Sequence, residues 1–249
     1  MKKQTLILFS AIACLAFVSC HKQDISPNDA VTKVSVDKTD ASVAGLERTI
    51  NPLLVGLEGW FTFDGHLKDQ MNKLPNGTST GRGVLYTSDR KGNPKSAVKF
   101  NGSYGINLTK VPQPMKATVA AWVKMDNPNL GTGRMIVRPK YTGLGLGKKK
   151  AEVHGSISLT TGTSMGINGG DQDLNWHHLA VSFDATTLRM YVDGQLVNSQ
   201  PCSFIYLTTL QDYRVGYWPT PEWFEGSVDE LRFYSRTLSA SEIQALAAL

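Results

Sequence analysis

The stretch that decides the fold is Trp176-His177-His178-Leu179-Ala180-Val181-Ser182-Phe183-Asp184-Ala185-Thr186-Thr187-Leu188-Arg189-Met190-Tyr191-Val192-Asp193-Gly194-Gln195-Leu196-Val197. Leu179, Val181 and Phe183 alternate with Ala180 and Ser182, which is the period-two pattern of a strand. Asp184-Ala185-Thr186-Thr187 is short and polar, as a tight connection requires. Leu188, Met190 and Val192 then share one face, and Arg189, Tyr191 and Asp193 share the other. Asp193-Gly194 reads as a two-residue hairpin turn, because Gly tolerates the positive φ of a type I′ turn. Gln195-Leu196-Val197 starts the return strand. The stretch therefore predicts an antiparallel meander around which the other elements are organised.

Downstream, residues 213–216 read as a strand, and Trp218-Pro219-Thr220-Pro221-Glu222-Trp223 as an aromatic, proline-stiffened loop. Residues 224–234 form the last strand. Simple alternation puts Val228, Glu230, Arg232 and Tyr234 on one face and Asp229, Leu231 and Phe233 on the other. Ser239-Ala240-Ser241-Glu242 has capping-box form, and Ile243, Leu246 and Ala247 follow at helical spacing, so a short helix closes the chain. Upstream, strands are expected at 57–64, 84–86, 97–100, 104–108, 118–124, 135–137, 156–160 and 164–168. Residues 67–77 form a loop rich in side-chain oxygens, and the glycine-rich segment 143–150 reads as a loop. Many short strands, frequent Gly and Pro turns and almost no helix argue an all-β sandwich or barrel.

The first 20 residues are a processing segment. Lys2 and Lys3 precede an apolar run, residues 6–18, too short to span a bilayer comfortably. The run ends in Phe17-Val18-Ser19-Cys20. This resembles a bacterial lipoprotein signal, in which a small residue precedes a cysteine that becomes lipidated and N-terminal. The alternative is an ordinary secretory signal with an incidental cysteine. The expected division is a signal at 1–19, a polar tether at 20–52 and one domain at 53–249. A flexible tether of about 30 residues reaches roughly 30 Å, enough to hold a domain off a membrane surface. Cys14 leaves with the signal, so Cys202 has no partner for an internal disulfide and reads as a small buried residue. Two of the 26 basic residues leave with the signal, against 21 acidic ones, so the mature charge is about +3. That balance does not describe a nucleic-acid protein. Lys148-Lys149-Lys150 reads as a solvated loop tip.

From residue 57 onward the order of motifs resembles the laminin-G-like, concanavalin A-like jelly roll of bacterial surface proteins. The carriers are Gly59-Trp60-Phe61-Thr62-Phe63-Asp64-Gly65, Ala97-Val98-Lys99-Phe100-Asn101-Gly102 and Thr118-Val119-Ala120-Ala121-Trp122-Val123. Trp176-His177-His178-Leu179-Ala180-Val181, Tyr191-Val192-Asp193-Gly194 and the 224–234 strand with its following helix complete the set. The resemblance implies a two-sheet antiparallel jelly-roll sandwich with a short C-terminal helix. The family includes sugar binders, adhesion modules and accessory domains of glycosidases, so it is weak on function. Members often hold one Ca²⁺ between the first strand's turn and the last strand. That implies Asp229 as a ligand, its oxygen shell completed by Asp64 or by carbonyls around Gly65 and Asn101, with Asp69 and Asn72 as second choices.

Carbohydrate binding would use exposed aromatics, because a pyranose offers an apolar C–H face to a ring while its hydroxyls need polar partners. Trp218 and Trp223, flanked by Tyr217 and Glu222 in a loop held by Pro219 and Pro221, are the expected platform. Tyr141 and Arg138 are alternatives, and Trp60, Trp122 and Trp176 are read as core. Cleavage would need two carboxylates about 5 Å apart for retention or about 6.5 to 9.5 Å for inversion. The nearest candidates, Asp171 with Asp173 and Glu222 with Glu225, read as solvated, so no catalytic residue is assigned. His177 and His178 must point to opposite faces of a strand, and His66 and His154 stand alone without zinc spacing. The sequence thus predicts a lipid-anchored cell-envelope protein, in the outer membrane, the periplasm or at the surface, that binds a glycan or a surface protein.

Overall fold

The computed structural model describes residues 51–127, 133–141, 143–149, 151–158, 164–202, 209–218 and 223–249. The signal, Cys20 and nearly all of the expected tether lie outside the described residues. The strands are β1 (Leu57–Phe61), β2 (Thr78–Ser79), β3 (Tyr86–Thr87), β4 (Ala97–Asn101), β5 (Ile106–Gln113) and β6 (Ala117–Met125). There follow β7 (Gly133–Pro139), β8 (Gly143–Lys149), β9 (Glu152–Ser158), β10 (Ser164–Asp171) and β11 (Trp176–Phe183). The last are β12 (Thr187–Val192), β13 (Gln195–Pro201), β14 (Thr209–Val215) and β15 (Glu225–Tyr234), before helix α1 (Ala240–Ala248). They form two antiparallel sheets. Sheet A runs β13-β12-β11-β6-β15-β4-β3, with β1 also paired to β15; sheet B runs β10-β9-β8-β7-β14-β5-β2.

The meander folds as its pattern predicts. Leu179 pairs with Val192 and Phe183 with Leu188, while Asp193 and Gly194 both take positive φ, at 49° and 80°. It forms one flank of sheet A, however, and β6 and β15 lie further in. The faces alternate as expected: Leu179, Val181, Phe183, Leu188 and Met190 enter the core between the sheets. Ala180 and Tyr191 face outward, into a second cluster with Ala120, Trp60 and Tyr234 under Leu53, Leu54, Ile243 and Leu246. Sheet A is thus buried on both faces over this region. The N-terminal turn and α1 form its outer lid, and small side chains at 120 and 180 let them approach. The capping box is present, with Ser239 Oγ accepting from the Glu242 amide and Glu242 reaching back to the Ser239 amide.

Three local expectations are corrected. Residues 143–149 form strand β8 rather than a loop; Leu144, Leu146 and Lys148 point inward, and Lys148 Nζ donates to the Asn127 carbonyl at 2.7 Å. The glycines misled the reading because they are depleted in strands. Here they are required: a Cβ on Gly145 would lie 2.9 Å from the Val137 carbonyl oxygen. The last strand does not alternate simply. Its pairing with β6 shifts between Asp229 and Arg232, and Glu230 takes φ 54°. This bulge puts Val228 on the core side with Leu231 and Phe233, and Asp229 on the outer side with Glu230 and Arg232. Trp122 and Trp176 are only half-buried, on the outer side of sheet A.

The 67–77 loop is oxygen-rich for a structural reason. Asp69 is buried. Its Oδ1 accepts from the amides of Trp60 at 2.8 Å and Met71 at 3.1 Å, and its Oδ2 from those of Lys73 at 2.8 Å and Leu74 at 2.9 Å. One carboxylate thus ties the loop to β1. Asp69→Ala should lower the urea-unfolding free energy by about 3 kcal/mol or more, because it strands several amide donors at once. A loss under about 1 kcal/mol would show that water replaces the carboxylate.

Candidate functional site

Sheet B carries the candidate site on its outer face. Tyr213 and Val215 of β14 are fully buried, so Arg214 between them faces away from the core. Arg214 pairs directly with Asn107 of β5 and with Arg138 of β7. Three polar side chains therefore stand in a row across three strands. Arg138 and Arg214 are like charges directly opposite each other, an arrangement that costs stability unless something offsets it. The indole of Trp218 does so: the Arg138 guanidinium lies 4.2 Å from the ring centroid and that of Arg214 lies 4.5 Å from it.

The residues after β14 are aimed by two glycines. Gly216 takes φ 79°, and a Cβ there would approach the Phe100 ring to 2.2 Å. The chain can leave β14 in this direction only because residue 216 has no side chain. A Cβ on Gly105 would sit 2.0 Å from the Tyr217 ring, so that ring packs directly against the Gly105 backbone, just before β5. The Tyr217 hydroxyl donates to Asn107 Oδ1. Tyr217 stacks on Trp223 with centroids 5.5 Å apart and planes at 26°. The Phe224 amide donates to the Gly216 carbonyl at 3.0 Å and closes the connection at its base.

Tyr217, Trp218 and Trp223 are thus brought together, half-exposed, as the sequence suggested. Glu222, Pro219 and Pro221 lie outside the described residues. Arg138 belongs to the same cluster and stands on a strand, not a separate loop. Tyr141 is 63% exposed, with Lys140 Nζ 5.1 Å from its ring centroid. Sequence reading missed Arg214 and Asn107. Both occupy outward positions of alternating strands, and Arg214 lies three residues before Tyr217, which is the signal that could have found it.

The expected metal residues meet a different partner. On the outer side of sheet A, His178 and Asp229 both pair with Trp122 in register. Arg90 reaches in from the 89–93 turn, 3.1 Å from Asp229 Oδ2 and 4.6 Å from the Trp122 centroid. Beside them, Glu230 Oε2 accepts from Trp60 Nε1 at 2.6 Å and pairs with Arg232 at 2.7 Å. Asp229 therefore faces a cation that the chain itself supplies, and a calcium ion beside a guanidinium would be repelled by it. Asp64 is half-buried after β1, and among the described residues no three or more His, Cys, Asp or Glu side chains are grouped to hold a metal. The residues do not fit the calcium site that the resemblance implied.

The adjacent histidines face opposite sides, as predicted, and are pushed in opposite directions. Burial, with the nearby Arg232 and Arg90 cations, pulls His178 down to about 3, so it is neutral in the fold. Burial opposes charging His177 too, but carboxylates contact both its ring nitrogens: Asp193 at 2.8 Å and Asp173 at 3.0 Å. They outweigh burial and raise its pKa.

The buried Asp229 and the two histidines each carry predictions. Arg90→Met should cost about 3–5 kcal/mol, because it leaves the buried Asp229 carboxylate beside a lost counter-charge. A chelator should leave the melting temperature of the native chain unchanged; a fall on chelation would restore calcium to the account. The histidines govern the response to pH. Below the ordinary imidazole value of 6.5, the unfolded chain protonates residue 178 while the fold refuses the proton until about 3. That loss reaches on the order of 4 kcal/mol. His177 works oppositely: its stabilisation is present below 6.5 and lost as pH rises through its raised folded value. Urea midpoints taken from about pH 4 to 9 should peak near neutrality, and His178→Leu should flatten the acid limb only. An unchanged acid limb in that variant would show that other groups govern it.

The fold and site can be set beside known proteins. A family model described as the Concanavalin A-like lectin/glucanases superfamily matches residues 95–244, more than half of the chain. Comparison with curated proteins gives no sequence match. Among solved structures, domain 4 of AbnA, a GH43 extracellular arabinanase from Geobacillus stearothermophilus solved with arabinotriose, is 22% identical with a TM-score of 0.63. The likeness covers 77% of this chain and 98% of that one. The binding domain of Paraclostridial Mosquitocidal Protein 1 is 16% identical, with a TM-score of 0.64 over 78% of this chain and 52% of that one. The botulinum neurotoxin serotype D binding domain is 12% identical, with a TM-score of 0.62 over 78% and 50%. The chain thus spans about half the length of the toxin domains, and at these identities the likeness shows the fold alone. By its family match and its two-sheet architecture, the chain belongs to the concanavalin A-like lectin/glucanase superfamily.

Proposed function

We propose that the protein is a lipid-anchored cell-envelope protein whose sandwich binds carbohydrate without cleaving it. The observation that carries this reading is the cluster of Tyr217, Trp218 and Trp223 held half-exposed beside Asn107, Arg138 and Arg214. Rings fixed in advance offer apolar area to a sugar face at little ordering cost, and the flanking groups offer hydrogen bonds. The arabinotriose bound to the arabinanase domain supports a saccharide as the class of ligand. Ser19-Cys20 after a short apolar run supports the lipid anchor. Binding rather than hydrolysis is favoured by the carboxylates. Asp173 is engaged by Asn175 and His177 in a turn, and Glu225 lies on another strand, beside Gly102.

A second reading, a protein-binding scaffold, draws on β13. Every residue of this edge strand is exposed, with Leu196 and Val197 at 49% and 46%, and an open edge is a template for another strand. A glycan array separates the two. The native domain should retain a defined set of glycans, and Trp218→Ala and Trp223→Ala should each weaken retention about five- to thirtyfold. Retention of no glycan would overturn the carbohydrate reading. Hydrolysis of a polysaccharide panel, abolished by Glu225→Gln, would overturn binding without cleavage.

A further inference from the structure

Resting on the reading that the Trp218 platform holds a saccharide, we infer that the ligand is a neutral linear saccharide chain, held by its interior units across strands β14, β7, β8, β9 and β10. These strands are neighbours in sheet B, and their register sets out a path on the outer face. Arg214 pairs with Arg138, and both guanidinium groups lie against the Trp218 ring. A Cβ on Gly145 would lie 3.5 Å from the Arg138 Cα, so Gly145 continues the row on β8. Gly145 pairs in turn with Ser156 on β9, and Ser156 with Gly166 on β10. A second row runs beside it through Gly147, His154 and Asn168. Leu144, Leu146, Ile157 and Ile167 alternate with these positions and enter the core, so the small and polar residues face out.

Glycine weakens a strand interior and marks a place where another group comes close. At Gly145 that group is the chain itself, the Val137 carbonyl oxygen. At Gly166 it is not. The residue is exposed, and among the described residues the nearest atom to a Cβ there is the Gly155 carbonyl oxygen at 3.9 Å, an ordinary contact. Beyond Arg138 the two rows carry nothing bulkier than an imidazole. They leave a low strip that runs four strand spacings from β14 to β10, or roughly 19 Å, enough for several sugar rings in line.

The strip also presents hydrogen-bonding groups of both kinds. Ser158 stands two residues beyond Ser156 on the same face and is 4% exposed, and among the described residues its Oγ has no hydrogen-bond partner. A buried hydroxyl in that state costs stability until a partner reaches it. Burial first, and then the Arg138 and Lys149 cations, pull His154 down against Glu152, so its ring is neutral. Neutral imidazole, hydroxyl and amide each donate and accept, as sugar hydroxyls do. Arg214 and Arg138 stand on the near strands, while Glu152 and Asp171 pair in register on the far ones. Neither sign of charge prevails along the strip, which suits an uncharged chain.

The test is calorimetric titration of the mature chain with linear arabino-, xylo-, manno- and gluco-oligosaccharides graded from disaccharide to hexasaccharide. In at least one series the hexasaccharide should bind about tenfold or more tighter than the disaccharide. The parent polymer should bind as well with its chain ends capped as without. Gly166→Val suits a strand and fills the strip at the end away from Trp218. It should keep the melting temperature and remove most of the gain from length, so that disaccharide and hexasaccharide bind within about threefold of each other. Should that variant lose its fold, His154→Ala reads the same strip and should weaken the hexasaccharide about five- to tenfold. Trp218→Ala should weaken every length. Equal affinity for short and long chains, a gain from length that survives Gly166→Val and His154→Ala, or binding of polymers only through their ends would overturn the proposal while leaving carbohydrate binding intact. So would tighter binding of polygalacturonate than of any neutral chain. Binding of no glycan at any length would sink the carbohydrate reading itself.

Discussion

The structure depends on how β15 reconciles its neighbours. On one side it pairs with β6 along most of its length; on the other it meets β4 with its first half and β1 with its second. A regular strand would carry its alternation unbroken and would send Asp229 inward with Leu231 and Phe233. The left-handed backbone at Glu230 absorbs one residue and resets the phase. Greasy side chains then face the core on both sides of the irregularity, and charged ones face out. That single φ of 54° costs on the order of 1 kcal/mol in an ordinary residue, a small sum beside the buried Leu231 and Phe233.

Charges sent outward by the bulge are not sent into water. Asp229, Glu230 and Arg232 are all buried, beneath Arg90 and Trp60. On the outer layer of sheet A the charges pair off, Asp229 with Arg90 and Glu230 with Arg232, while among the described residues Trp122 Nε1 and His178 Nδ1 are buried without a hydrogen-bond partner. Sheet B handles its outward charges differently. Arg138 and Arg214 repel and lean on aromatic rings. Sheet A meets its outward charges with opposite charges, and sheet B sets guanidinium groups against indole and phenol faces.

Much of this was legible in the chain. The meander, its Asp-Gly turn, the closing helix and its cap are local features, fixed by period, turn chemistry and a four-residue cap. The aromatic platform was legible because its members lie within seven residues of one another. What escaped were features that exist only between distant segments. The phase shift in β15 leaves no mark in a sequence window, since Glu230 is not a residue that announces positive φ. Asp69 looked like a metal ligand because loop oxygens resemble one another until the amides they meet are known. Strand β8 hid behind glycines whose purpose is the closeness of β7 and β9. Arg214 and Arg138 stand 76 positions apart in the numbering, and only the register makes them neighbours.

The amide of Phe224 on the carbonyl of Gly216 has one more consequence. It closes the aromatic excursion at its base with one hydrogen bond. Tyr217 and Trp218 then lean back on Asn107, Arg138 and Arg214, so what holds these rings and what they hold steady are the same set of contacts. Exchanging a ring here would alter grasp and stability together, so selection acting on one also acts on the other.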